Sequence, residues 1–201
     1  MNAEYFKYLD FNRGGIGVYT YDIEGELLQR KLVQSEEEIL NIMDTPEEHR
    51  LVLECSTKGD KRFSAYGAYI KLFGMRDNIE FIYQLSKRVQ GVESVPVNAP
   101  WAVKLKYVKQ IKGKQISSLC ICGKHISPNH ISSWYNFLWL IYLDAHPQLV
   151  QYLELFDDYN DVFKGSSICC QADAIRKYVK QGPHSIISEM QPFLHELKSS
   201  H

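Results

Sequence analysis

The sequence predicts an α+β fold: a single globular domain of mixed helices and a small sheet, with an N-terminal β-hairpin/helix extension. Three observations lead there. β-Favouring stretches mix with helical periods without the regular strand–helix–strand alternation of a parallel sheet. At 201 residues the chain can bury one substantial core without disulfides or a metal. Its 23 basic and 24 acidic residues leave a formal net charge of -1, and 45% of residues are hydrophobic. That balance excludes a disordered segment and a strongly cationic nucleic-acid module, while permitting a local basic face.

Each element follows from its own signal. Ile16 to Tyr21 and Leu27 to Val33 flank the polar, glycine-bearing stretch Asp22 to Glu26 and read as a hairpin. Ser35 and Glu38 form a capping-box pattern for a helix that carries Ile39, Leu40, Ile42 and Met43 and ends by Thr45-Pro46. Residues 1–50 are thus expected as the extension and residues 51–201 as the core. Strands are expected at Leu51–Cys55 and Tyr66–Phe73, and a helix at Asp77–Val89. Trp101–Ile111 and Gln115–Cys122 read as a second hairpin about Lys112-Gly113-Lys114. An apolar helix capped by Ser132 or Ser133 begins near Trp134, and Pro147 opens another that reaches Phe156. A loop over Asp157–Ser167 leads to a helix from Gln171 to Lys180. Gly182-Pro183 breaks it, and a last helix runs to Lys198 with a kink at Pro192.

No run reaches the ~20 apolar residues of a membrane helix, and Met1–Asp10 lacks the apolar block of a secretory signal. Five cysteines, odd in number and irregularly spaced, argue against a disulfide framework. The expected compartment is therefore the reducing cytoplasm, with no membrane partner.

The helix Asp77–Val89 holds the first chemical signal. At about 100° per residue, Glu80, Gln84 and Lys87 fall within about 60° of one another, with Ile82, Leu85 and Val89 opposite. A narrow polar stripe on an apolar helix suits the wall of a cleft. The structural alternative is a capping box, with Asp77 as N-cap and Glu80 at N3.

The segment Phe63–Lys87, FSAYGAYIKLFGMRDNIEFIYQLSK, resembles the signature of the NADAR superfamily, whose riboflavin-pathway members are N-glycosidases. Phe63-Ser64 correspond to the family's opening residues, Ile70–Gly74 to its strand and turn, and Glu80, Gln84 and Lys87 to its helix motif at the same spacing. Later features follow in order: Trp134 at the start of a long helix, His146-Pro147-Gln148-Leu149 through Leu153, and the loop Asn160–Gly165 with Asp161 in the acidic position and Phe163 beside it. Ala65 replaces the usual Asn, Phe81 the usual His, and Lys164 the usual Trp. The resemblance covers roughly residues 51–181.

The resemblance implies a hydrolase that breaks a base–ribose or ADP-ribose N-glycosidic bond. Its transition state carries positive charge on the ribose, which carboxylates near the anomeric carbon stabilise while one of them handles the water. Glu80 and Asp161 take these catalytic roles, and Trp134 is the stacking platform for the base. Phe63, Ser64, Gln84, Lys87, Phe163 and Lys164 contact substrate, the lysines meeting a phosphate or leaving group. The expected substrate is a small nucleotide-like or ADP-ribosylated molecule, with a modified base in nucleic acid as a second class. No cofactor or metal is expected. The three departures favour an alternative, a non-catalytic nucleotide or ADP-ribose binder that serves as sensor or sequestering module.

Other candidates carry weaker chemistry. Cys120, Cys122, His125 and His130 have no common zinc-module spacing. Cys169-Cys170 reads as a structural pair. Gly14-Gly15-Ile16-Gly17 precedes a strand, whereas a phosphate loop opens a helix. Asp157, Asp158 and Asp161 form an acidic loop cluster.

Overall fold

A computed structural model describes residues 3–161 and 169–199, and the chain is of mixed α+β class. Its elements in order are β1 (Ile16–Tyr21), β2 (Leu27–Leu32), α1 (Glu36–Met43), β3 (Glu48–Glu54), β4 (Tyr69–Leu72) and β5 (Met75–Asn78). Next come α2 (Ile79–Ser86), β6 (Lys87–Arg88), α3 (Trp101–Ile111), β7 (Ser118–Ile121) and β8 (Lys124–Ile126). The last are α4 (Ile131–Asp144), α5 (Pro147–Leu153), β9 (Asp158–Asn160), α6 (Gln171–Glu189) and α7 (Gln191–Ser199). They fall into two compact units, Met1–Ser64 with Leu143–Lys180, and Ala65–Tyr142 with Gln181–His201.

The first unit is built on one sheet in the order β2-β1-β3-β9. β1 is antiparallel to β2 and to β3, from Ile16 opposite Leu53 to Tyr21 opposite Glu48, and β9 runs parallel to β3. Strand alternation puts Ile16, Val18, Leu51, Leu53 and Tyr159 on one face, and all five are buried. The division drawn at residue 50 falls inside β3, because the hairpin is an integral half of this sheet and no separate extension. Its outer strand β2 is exposed along its length and carries Arg30 and Lys31, charges that discourage edge pairing. Ser35 caps α1 as the spacing predicts, its Oγ accepting from the Glu38 N–H at 3.2 Å, while the Glu38 carboxylate accepts from Gln34 N–H at 2.8 Å.

The glycine-rich entry to β1 is explained by backbone contact. A Cβ on Gly15, whose φ is +80, would lie 2.3 Å from Asp60 N, and one on Gly59 would lie 2.1 Å from Glu54 O. These two glycines let the 14–15 and 59–60 turns lock onto the end of β3 through Glu54 N–H to Gly15 O and Asp60 N–H to Glu54 O.

The second unit packs α2 and α3 around Phe81, Leu85, Val89, Tyr107 and Ile111. Here Trp101–Ile111 is a helix and not the expected strand. The alternation Val103-Lys-Leu-Lys-Tyr107 mimics a strand, but Lys104, Tyr107 and Ile111 form the buried helical stripe, and packing along that stripe overrides the β-propensity. The hairpin that does form joins β7 to β8 through Cys122 and Gly123, both at positive φ. α2 is shorter than expected. Asn78, not Asp77, is its N-cap, with Oδ1 accepting from Phe81 N–H at 2.8 Å, and the chain turns extended at Lys87. α4 starts before Ser132 and Ser133, after a turn capped by Ser127. The expected loop after α5 contains β9, and its residues 162–167 lie outside the described residues. α6 continues past Lys180 and breaks its helical geometry at Gly182 (φ 76), while Pro192 sits in the first turn of α7 and is no mid-helix kink. Among the described residues no helix is long and apolar enough to cross a membrane, and the five cysteines form no disulfide.

Candidate functional site

α2 brings three of the expected residues into one hydrogen-bonded row. Gln84 Nε2 donates to Glu80 Oε1 at 3.0 Å, and Lys87 Nζ donates to Gln84 Oε1 at 2.7 Å. Lys87 Nζ also stands 3.8 Å from the centroid of the Tyr83 ring. Because Asn78 performs the capping, Glu80 occupies N2 and its carboxyl is released from any capping box. Loss of water raises the Glu80 pKa above the ordinary carboxylate value, while the Gln84 amide and the Lys87 charge pull it back in part. Tyr66 is raised too, first by burial and then by the Glu80 carboxylate, which places its phenol within reach of that charge. The result is a carboxyl held by a neutral amide, with a cation next in line and a phenol within range. Burial makes it a stronger base than an exposed carboxylate.

Trp134 is elsewhere. It is 2% exposed, its indole N–H donates to Ser86 Oγ at 3.0 Å, and its ring stacks on Phe137 with centroids 6.0 Å apart and planes at 27°. Ser86 lies about 120° around α2 from Glu80, so the Trp134 bond is made on a different side of the helix from the Glu80 row. One wall of a cavity of about 270 Å³, lined also by Phe73, Ile82, Leu85 and Cys120, is formed by Trp134. The expected platform is a core side chain of the second unit, because an indole at the head of an apolar helix gains more from burial than from an open face. Phe81, in the place of the family's His, is fully buried against Tyr66 and Trp101.

The other expected residues belong to the first unit. Phe63 is fully buried and lies parallel to Tyr152, centroids 6.2 Å apart, and Ser64 Oγ donates to Lys61 O at 3.1 Å. Asp161 is 4% exposed, and its Oδ2 accepts from Ala172 N–H at 3.3 Å in the first turn of α6, where a carboxylate also meets the helix dipole. Phe163 and Lys164 lie outside the described residues.

A cluster that the sequence did not signal stands at the ends of β3 and β9. Tyr19 O–H donates to Glu54 Oε1, and Asn160 Nδ2 donates at 2.8 Å to both Glu54 Oε1 and the Tyr19 hydroxyl. The Arg30 guanidinium stacks 5.2 Å from the Tyr19 centroid. Burial, then the Glu54 carboxylate, pushes the Tyr19 phenol well up. Only strand register creates this group, since Glu54 pairs with Asn160 across a parallel ladder of distant segments.

The histidines and aspartates of the motifs set aside in the sequence have protein partners. His125 Nδ1 meets Ser118 Oγ at 3.0 Å, and His130 Nε2 meets Glu196 Oε2 at 2.8 Å. Asp157 Oδ2 accepts from Leu51 N–H at 2.7 Å, and Asp158 Oδ1 accepts from Arg176 Nε at 2.8 Å. Among the described residues no three His, Cys, Asp or Glu side chains are grouped to hold a metal ion. Burial raises the Cys170 thiol, which opposes thiolate chemistry there. No protein-family model matches the chain, and no curated protein matches it.

Proposed function

We propose that the chain is an N-glycosidase-type hydrolase that cleaves the bond between a base and ribose, in a nucleotide or an ADP-ribose adduct, and works in the cytoplasm. The carrying observation is the Glu80–Gln84–Lys87 row, a desolvated carboxyl fixed by an amide with a cation at its end. As a carboxylate Glu80 stabilises the oxocarbenium ion, and its raised pKa lets it take the proton of the attacking water. Gln84 orients Glu80, and Lys87 meets the phosphate or the departing base. The resemblance of Phe63–Lys87 to the NADAR superfamily supports the same assignment. Trp134 acts through packing.

Mass spectrometry of a panel of nucleotides, NAD and ADP-ribose adducts tests it. Wild type releases the free base, and Glu80→Gln, nearly isosteric, lowers the rate by at least about 100-fold while keeping the fold. Unchanged turnover in that variant removes Glu80 from the mechanism. A second reading, a nucleotide or ADP-ribose binder without turnover, draws on buried Phe81, which has no proton to transfer where the family has His. Thermal stabilisation by the same compounds without base release selects that reading. Neither release nor stabilisation sinks both.

A further inference from the structure

We infer that α3 and its C-terminal turn form a docking surface for single-stranded nucleic acid, independently of whether Glu80 is catalytic. Residues Trp101–Lys114 contain Lys104, Lys106, Lys109, Lys112 and Lys114 and no acidic residue, in a chain of net charge -1. The helix sorts these lysines. Lys104 turns inward to an ion pair with Asp77, its Nζ 5.3 Å from the Phe81 centroid. Lys106 and Lys109 face solvent, and Lys112 and Lys114 extend the row past the helix end. Those four are exposed, and none makes an ion pair among the described residues. A groove of about 460 Å³ separates α3 from the loop Gly91–Pro96, with Lys106, Gln110 and Lys114 on its walls and Glu93 on the loop.

A second, independent feature sits at the head of the same helix. Trp101 is 50% exposed, whereas Trp134 and Trp139 are 2% and 1% exposed. Its ring is braced by Phe81, with centroids 4.5 Å apart, and by Tyr66 at 6.2 Å, so it is held in place yet open to solvent. On the helical wheel Trp101, Lys109 and Lys106 span an arc of about 140°. A row of unpaired cations that ends in a fixed, open indole matches the two demands of a single strand: charge for the phosphates and a plane for an unstacked base. A duplex keeps its bases stacked and has none to offer Trp101.

Fluorescence anisotropy of a labelled 20-nucleotide single strand with the full chain, between 50 and 200 mM salt, tests this. With four lysines engaged and a slope of about -0.7 per contact, affinity falls roughly fifty-fold across that range. Replacing Lys106, Lys109, Lys112 and Lys114 together by Ala abolishes binding with unchanged circular dichroism, since all four are exposed. Trp101→Ala weakens binding about tenfold and leaves the salt slope intact. Because the other tryptophans are buried, the strand quenches fluorescence in wild type and not in Trp101→Phe. Absence of binding at the lowest salt overturns the inference. So does equal affinity for a duplex of the same length, binding to phosphatidylserine vesicles in place of the strand, or full affinity in the four-lysine variant.

Discussion

Glu80 in the second unit and Asp158 in the first both lose water, yet their pKa values move in opposite directions. Burial raises Glu80, whose hydrogen-bond partner is the neutral amide of Gln84. Burial also pushes Asp158 up, but the Arg176 guanidinium, the Tyr159 N–H and the Lys180 charge bring it below its ordinary value. Arg176 reaches Tyr159 O as well, so its guanidinium ties α6 to β9. Desolvation alone therefore does not decide how a half-buried carboxyl titrates; the charge of its first neighbour does. The first arrangement leaves a carboxyl whose charge is opposed by burial, and the second fastens a helix to a sheet.

The largest effect that probes this contrast lies at Asp77, just ahead of Glu80, whose partner is a buried lysine. Lys104→Met should strand the Asp77 carboxylate and cost about 3–5 kcal/mol, seen as a lower midpoint in urea unfolding. The double variant Asp77→Asn/Lys104→Met should recover most of that loss. A cost below about 1 kcal/mol would show that the pair contributes little.

Arg176→Met comes next. The Arg176–Asp158 pair is about one-third exposed, so solvent screening limits its cost to about 1–2 kcal/mol at neutral pH. The folded pKa of Asp158 lies below its unfolded value of about 3.8, so this contribution is present above that value and fades as pH falls through the folded pKa. Melting curves of the variant and wild type should converge in acid; a pH-independent gap would assign the loss to packing.

The smallest effect is at Glu80, with the opposite sign. Its folded pKa is above the unfolded one, so the folded state holds more protons than the unfolded state between the two values. Wild-type stability therefore falls as pH rises from the unfolded value of about 4.5 through the folded pKa. Glu80→Gln should melt slightly higher than wild type at pH ~7, with the gap closing below about pH 4. Destabilisation at neutral pH would mean that the carboxylate is better solvated than its burial indicates.

Much of the fold was legible from local chemistry. The hairpin β1–β2, the Ser35 cap, Pro147 in the first turn of α5 and the break at Gly182 all rest on bonds within a few residues, and all appear. Trp101–Ile111 was misread because Val, Leu and Tyr at alternate places satisfy a strand pattern equally well. Only the contacts of Tyr107 and Ile111 with Phe81 and Leu85 choose the helix. Trp134 was open to two readings, and the Ser86 hydroxyl on a neighbouring helix settled its N–H inside the core.

By itself the sequence determined the class, the absence of a membrane-crossing helix among the described residues and the Glu80–Gln84–Lys87 row, since a helical spacing carries its own geometry. Tertiary structure alone decided which carboxyl meets a cation and which an amide, which tryptophan stays in solvent, and that β9 joins β3 to gather Tyr19, Glu54 and Asn160. Those outcomes depend on contacts between residues far apart in the chain, about which local propensity and periodicity carry no information.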